Sequence, residues 1–143
     1  MMKLPLMSTR QVREGSIEYD GPLQIHGPEE VISALRSLLD GRDRELFGVL
    51  ALSTKHCIIG LNIVSIGTLN GASAHPREVF RWAITAGAKS IICFHNHPSG
   101  DPTPSPEYHA VTRRLRAAGT TIGIDVVDHL VLGADGRFEH VAN

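Results

Sequence analysis

Apolar positions along this 143-residue chain fall into blocks whose spacing changes from one block to the next. Residues 1–20 form a polar arm with room for one short strand. Gly27-Pro28-Glu29-Glu30 then reads as a helix start, with acidic side chains in its first turn. Val31, Ile32, Ala34, Leu35, Leu38 and Leu39 recur at helical spacing, and Asp40-Gly41 closes the stripe. Leu46 to Leu52 is a continuous apolar run of strand length, and residues 56–66, rich in Ile and Val, make a second. The short Ser53-Thr54-Lys55 link between them predicts an antiparallel hairpin.

A polar loop from Gly67 to Ser73 leads to His75-Pro76-Arg77-Glu78, which opens a second predicted helix. Its inner face is Val79, Phe80, Ala83 and Ile84, and Gly87 is its C-cap. Ser90 to Phe94 is a third strand, which runs on into His95, Asn96 and His97. A third helix is predicted over residues 106–118, closed by Gly119. Strands follow over 121–127 and 129–132, with an edge strand over 137–141. This order predicts an α/β fold: a mixed sheet flanked by helices, in two or three layers.

The length suits a single domain with a full core. Composition is that of a globular protein, with 42% hydrophobic and 20% charged residues. The formal charge is 14 − 15 = −1, which gives no general pull towards nucleic acid or membrane. No apolar run reaches bilayer length, and residues 1–15 have no secretory core, so a cytoplasmic location is expected. Cys57 and Cys93 both lie in strand-like runs, which suits free thiols in a reducing compartment. Arg113, Arg114 and Arg116 on the third helix read as a solvated face rather than a nucleic-acid surface.

Candidate chemistry concentrates after the third strand. Side chains alternate along a strand, so His95 and His97 project to one side and Asn96 to the other. Two neutral imidazoles on one face can grip a single metal ion, with Zn–N distances of roughly 2.0–2.1 Å. Pro98, Pro102, Pro104 and Pro106 then exclude regular structure. Ser105 falls at a helix N-cap, with Pro106 at N1 and Glu107 at N2. The loop therefore returns a helix N-terminus and a hydroxyl towards the two histidines. Cys93 shares their face by parity and is conceivable as a soft third ligand, although a buried free cysteine is commoner. His129, after Asp128, reads as a structural, hydrogen-bonding histidine.

The run His-x-His-Pro-Ser-Gly-Asp-Pro-x-Pro-Ser over residues 95–105 resembles the RadC-type branch of the JAMM/MPN (JAB) metalloprotease superfamily. Gly67-Thr68-Leu69-Asn70, His75-Pro76-Arg77-Glu78, Ala86-Gly87-Ala88 and Asp128-His129 resemble landmarks of the same family, in the same order. The resemblance covers residues 21–141. It implies a JAMM/MPN, cytidine-deaminase-like architecture over residues 21–143, after an arm at 1–20. It also implies a stand-alone module without the helical segment that usually precedes this domain. The implied cofactor is one Zn2+ per chain, and the implied reaction is hydrolysis of a peptide, isopeptide or other amide bond in a protein or peptide substrate. The family name carries an association with DNA repair, for which the composition offers no support. Oligomeric state is not legible.

The superfamily pattern places its upstream Glu on Glu45, its histidines on His95 and His97, and its Ser on Ser105. By resemblance, zinc sits on His95, His97 and the side chain of residue 108, with water as the fourth ligand. Glu45 accepts the water's proton and passes it to the leaving amine, and Ser105 donates to the developing oxyanion. The family's Asp position, however, holds Tyr108. A phenol has a reference pKa of about 10 and must lose its proton to act as an anionic ligand. Asp101, Glu107, His109 and Asp128 are the alternatives, although Glu107 and His109 each lie one helical step, about 100°, from position 108. His75, at a helix start, could line the cleft. Two functions stay open: a zinc-dependent hydrolase, or a catalytically degraded binding module that keeps the fold. A zinc deaminase would need His-x-Glu with Pro-Cys-x-x-Cys, and neither occurs.

Overall fold

Strands that are apolar at every position can be satisfied only between two covering layers, and that is how the chain folds. The computed structural model describes residues 1–67 and 74–141. In chain order the elements are α1 (Pro28–Leu39), β1 (Leu46–Leu52), β2 (Ile58–Ile66), α2 (Pro76–Val79), α3 (Arg81–Thr85), β3 (Ser90–Asn96), α4 (Pro106–Ile122), β4 (Asp125–Leu132) and β5 (Phe138–His140). The five strands form one mixed sheet in the order β2-β1-β3-β4-β5. β1 is antiparallel to both β2 and β3, β3 is parallel to β4, and β5 returns antiparallel along the edge.

β1 and β3 are buried along their whole length. Their alternate side chains feed two separate cores. Leu46, Leu50, Leu52, Ile92 and Phe94 pack with Val31, Ile32, Leu35 and Leu39 of α1. Phe47, Val49, Ala51, Ile91 and Cys93 pack on the other face with Val79 of α2, Ala83 of α3, Leu115 of α4 and Phe80 between α2 and α3. The arrangement is therefore three layers, helix–sheet–helix, as the mixed-sheet reading expects. His95 follows Cys93 by parity and so lies on the α4 face. No helix among the described residues is long and apolar enough to cross a membrane.

The structure corrects four boundaries. The third predicted helix does not stop at Gly119 but runs to Ile122, and Gly123, at φ 90°, is the left-handed cap. Gly119 is needed for close approach: a Cβ there would overlap the carbonyl oxygen of Ile124 and press on Phe80. Residues 121–124 are thus helix end and turn rather than strand, and the two strands expected at 121–127 and 129–132 are a single one. That strand is bulged: Ile91 pairs with Val126 but Ile92 with Asp128, so Val127 is the extra residue. The bulge broke the alternation that would have joined the two runs. Lastly, the helix expected after His75 is interrupted at Phe80, which buries its ring completely. Ile84, expected on the inner face, is 56% exposed. The expected loop at 67–73, with family-like residues Thr68, Leu69 and Asn70, lies outside the described residues beyond Gly67.

Candidate metal and general-base site

Glu45 stands immediately before β1, where backbone pairing with β3 has ended at Phe47 opposite His95. The side chain of Asn96 takes over from that pairing. Its Oδ1 accepts from the Leu46 N–H at 2.7 Å, and its Nδ2 donates to the Arg44 carbonyl at 3.0 Å. Strand parity sets Asn96 on the face opposite the histidines. On that side it grips the residues on either side of Glu45. The Glu45 carbonyl is itself engaged by the Gly67 N–H at 2.7 Å.

His95 is buried at the end of β3, 1% exposed. His97 lies one residue beyond the strand, and its N–H donates to the Leu132 carbonyl at 2.9 Å, which prolongs the parallel pairing with β4. The two Nε2 atoms face each other at 3.2 Å. If each stood at the usual roughly 2.0–2.1 Å from a common zinc, that separation would subtend about 100°, close to a tetrahedral angle. His97 Nδ1 lies 2.8 Å from the Asp101 carbonyl. A carbonyl only accepts, so Nδ1 carries a proton. The loop that supplies this carbonyl is tied down: Gly100 accepts from the Ala134 N–H at 2.9 Å and from Arg137 Nη2 at 2.8 Å. Burial, then His129 and His97 nearby, hold the pKa of His95 well below its ordinary 6.5.

Tyr108 turns into this cluster. Its ring is 8% exposed and lies 4.2 Å from the His95 ring and 5.4 Å from the His97 ring, centre to centre. Its O–H donates to Glu45 Oε1 at 2.9 Å. Burial, then the bond to Glu45, then the charges of Glu45 and Glu107 raise the pKa of the phenol above 10. Ser105 occupies the N-cap of α4, but its hydroxyl caps nothing. Its carbonyl accepts from the Tyr108 N–H, while its buried Oγ has no partner among the described residues. The capping role open to its hydroxyl in the sequence is therefore unused.

The alternatives to Tyr108 are committed elsewhere or are not gathered with the histidines. Asp101 Oδ1 accepts from Thr103 N at 3.0 Å and Thr103 Oγ1 at 2.7 Å, and these bonds hold its carboxyl below the usual range. Asp128 accepts from the His129 N–H and lies 2.9 Å from His140 Nδ1 through each of its oxygens. Cys93 lies wholly within the core, and burial pushes its thiol up to about 12. Glu107 and His109 flank Tyr108 on α4. Among the described residues, no three His, Cys, Asp or Glu side chains stand together in a group that could hold a metal. His75 caps α2, its Nδ1 accepting from the Arg77 N–H at 3.1 Å. Arg116 is not part of a solvated face: its Nη1 donates to the Val126 carbonyl at 2.8 Å and its Nε is buried.

Two residues stand at the back of the site: His129, read from the sequence as a structural histidine, and Thr112, which sequence reasoning passed over. His95 Nδ1 lies 2.9 Å from His129 Nε2, and His129 Nδ1 lies 2.6 Å from Thr112 Oγ1. All three side chains are buried. Burial, helped by Arg116 and His109, pulls the pKa of His129 down to about 3. The hydrogen-bonding role read for His129 is present, but its partner is His95. The bulge at Val127 sets which way His129 faces, and a bulge cannot be located from spacing alone. Thr112 lies one helical turn after Tyr108, which was the only available pointer to it.

The profile of the RadC-like JAB domain matches residues 25–140. A UPF0758 protein of Moorella thermoacetica is 51% identical over 114 residues, which make up 80% of this chain and 49% of that protein. One from Shouchella clausii is 46% identical over the same share of each. Another, from Bacillus cereus, is 44% identical over 132 residues, 92% of this chain and 57% of the relative. The chain spans about half the length of the curated relatives it matches.

Proposed function

The chain belongs to the RadC-like JAB domain family, and from that premise we propose that it is a zinc-dependent hydrolase module acting on a peptide, isopeptide or other amide bond. The observation that carries this reading is the pair of imidazoles with Nε2 atoms 3.2 Å apart, beside a carboxylate held in place at Glu45. His95 and His97 would hold the metal, with the Tyr108 oxygen as the third donor. A bound zinc would supply Lewis acidity, polarising a carbonyl and acidifying a coordinated water. Glu45 serves as the base, its backbone fixed through Asn96 and its carboxylate oriented by Tyr108. Ser105 offers a buried hydroxyl that no other group among the described residues engages, suited to donating to an oxyanion. A protein or peptide substrate, and a cytoplasmic setting, belong to the same proposal.

A second reading rests on one observation. The Tyr108 O–H is committed to a hydrogen bond with Glu45, so the third donor and the base occupy each other. Catalytic zinc sites ordinarily have three protein ligands. A chain with only two imidazoles free would be a binding module that keeps the fold. Elemental analysis separates the two. About one zinc per chain, lost in the His95→Ala/His97→Ala double variant, supports the hydrolase. No zinc after reconstitution, in a folded protein, rejects it for the binding module.

A further inference from the structure

A histidine can ligate metal through Nε2 only if its proton sits on Nδ1, and that choice is set by the hydrogen bond Nδ1 makes. What Nδ1 of His95 meets therefore matters as much as where Nε2 points. It meets Nε2 of His129 at 2.9 Å, not the carboxylate or carbonyl that more commonly backs a ligand histidine. Two imidazoles can bond in either sense, so the next partner along has to decide.

That partner is Thr112. Its hydroxyl has one proton, and Oγ1 donates it to the Tyr108 carbonyl at 2.8 Å. The same oxygen lies 2.6 Å from His129 Nδ1, so it must accept there. His129 is then the Nδ1–H form. It is completely buried, and its ring meets a hydroxyl, an imidazole and the Phe47 ring, whose centre is 5.6 Å away. No carboxylate among these contacts would support a second proton on the ring. Its Nε2 is therefore an acceptor, His95 Nδ1 is the donor, and the lone pair of His95 Nε2 faces His97. On the other side, His97 Nδ1 gives its proton to the Asp101 carbonyl, which directs the second lone pair to the same place.

We propose that Thr112 and His129 are positioning residues for the metal site, a buried relay that fixes the tautomer of His95 so that its Nε2 faces the metal position. This inference rests on the zinc reading above. The relay begins at the backbone carbonyl of Tyr108, so the helix turn that carries the third donor also sets the first. Reversed polarity is chemically complete as well: Thr112 would donate to His129, His129 Nε2–H to His95, and His95 Nε2–H to His97. That state would close the site, and the Thr112 bond to Tyr108 is what opposes it.

The test combines zinc titration calorimetry with nitrogen-15 NMR of the histidine rings. Thr112→Val and His129→Leu, with folding checked by circular dichroism, are expected to weaken zinc binding by about 10–100-fold. Thr112→Ser restores the hydroxyl and should bind as wild type does. In metal-free wild type, His95 and His129 should each show a protonated Nδ1 and a bare Nε2. Unchanged affinity in folded Thr112→Val, or protons on Nε2 of both rings in wild type, would overturn the relay. Wild type that binds no zinc would defeat the hydrolase reading separately, and the ring tautomers would still judge the relay.

Discussion

The phenolic O–H of Tyr108 donates to Oε1 of Glu45 across 2.9 Å, joining the proposed third-ligand position to the proposed base. The bond spans 63 residues of sequence, from the start of β1 to the first turn of α4. It holds the phenol in its protonated form, because the neutral group is the donor and an anion beside Glu45 would be repelled. Tyr108→Asp substitutes a carboxylate that is already ionised at neutral pH. Zinc affinity should rise at least tenfold, about 1.4 kcal/mol, in calorimetric titration. Tyr108→Phe removes the oxygen and should give no such gain. An Asp variant with wild-type affinity would show that residue 108 does not limit the site.

Asn96 is the brace for Glu45. Asn96→Ala leaves the Leu46 N–H and the Arg44 carbonyl without their partner at the mouth of the sheet. Leu46 is buried, and a buried donor left unpaired costs about 1–3 kcal/mol, whereas water can reach the carbonyl of the exposed Arg44. The expected loss is about 1–3 kcal/mol in the free energy of urea unfolding, with an unchanged slope. A loss below about 1 kcal/mol would mean that the carboxamide does not hold this end of β1.

The buried imidazoles make stability depend on pH in a defined direction. His129 titrates near 3 in the fold, against an ordinary 6.5. Between these values the unfolded chain binds a proton that the folded chain refuses, so stability rises with pH through this window and is lost as pH falls below 6.5. The slope from this one group is about 1.4 kcal/mol per pH unit at most. His95 acts in the same direction, since its pKa is also lowered. Thermal midpoints measured from pH 7.5 down to 4 should fall steadily, and more steeply in wild type than in His129→Leu. A flat profile would mean that water or a counter-charge reaches these rings.

Much of the architecture was legible in the pattern of apolar positions. α1, β1 and β5 lie where spacing and capping residues put them, because each is defined by local signals: Pro28 with Glu29 and Glu30, an uninterrupted apolar run, a short alternating end. The His95/His97 pair and the opposite facing of Asn96 followed from strand parity alone. Illegible were the features set by contacts distant in sequence. Gly119 looks like a helix stop, yet it is the point where α4 passes over the Ile124 carbonyl. The bulge at Val127 is a property of pairing with β3, not of β4.

The sequence by itself determined the family, the mixed α/β class, and the five side chains Glu45, His95, His97, Ser105 and Tyr108 as the candidate chemistry. These depend on residue identity and local spacing, which the chain carries in one dimension. Tertiary structure alone decided that Tyr108 faces inward and hydrogen-bonds Glu45, that Ser105 leaves its cap unused, and that Asn96 holds the backbone on either side of Glu45. It also decided that His129 and Thr112 stand behind His95. The physical reason is common to all of them. A hydrogen bond between buried groups is set by which donors and acceptors meet once water is excluded, and that meeting depends on strand register and helix docking across tens of residues.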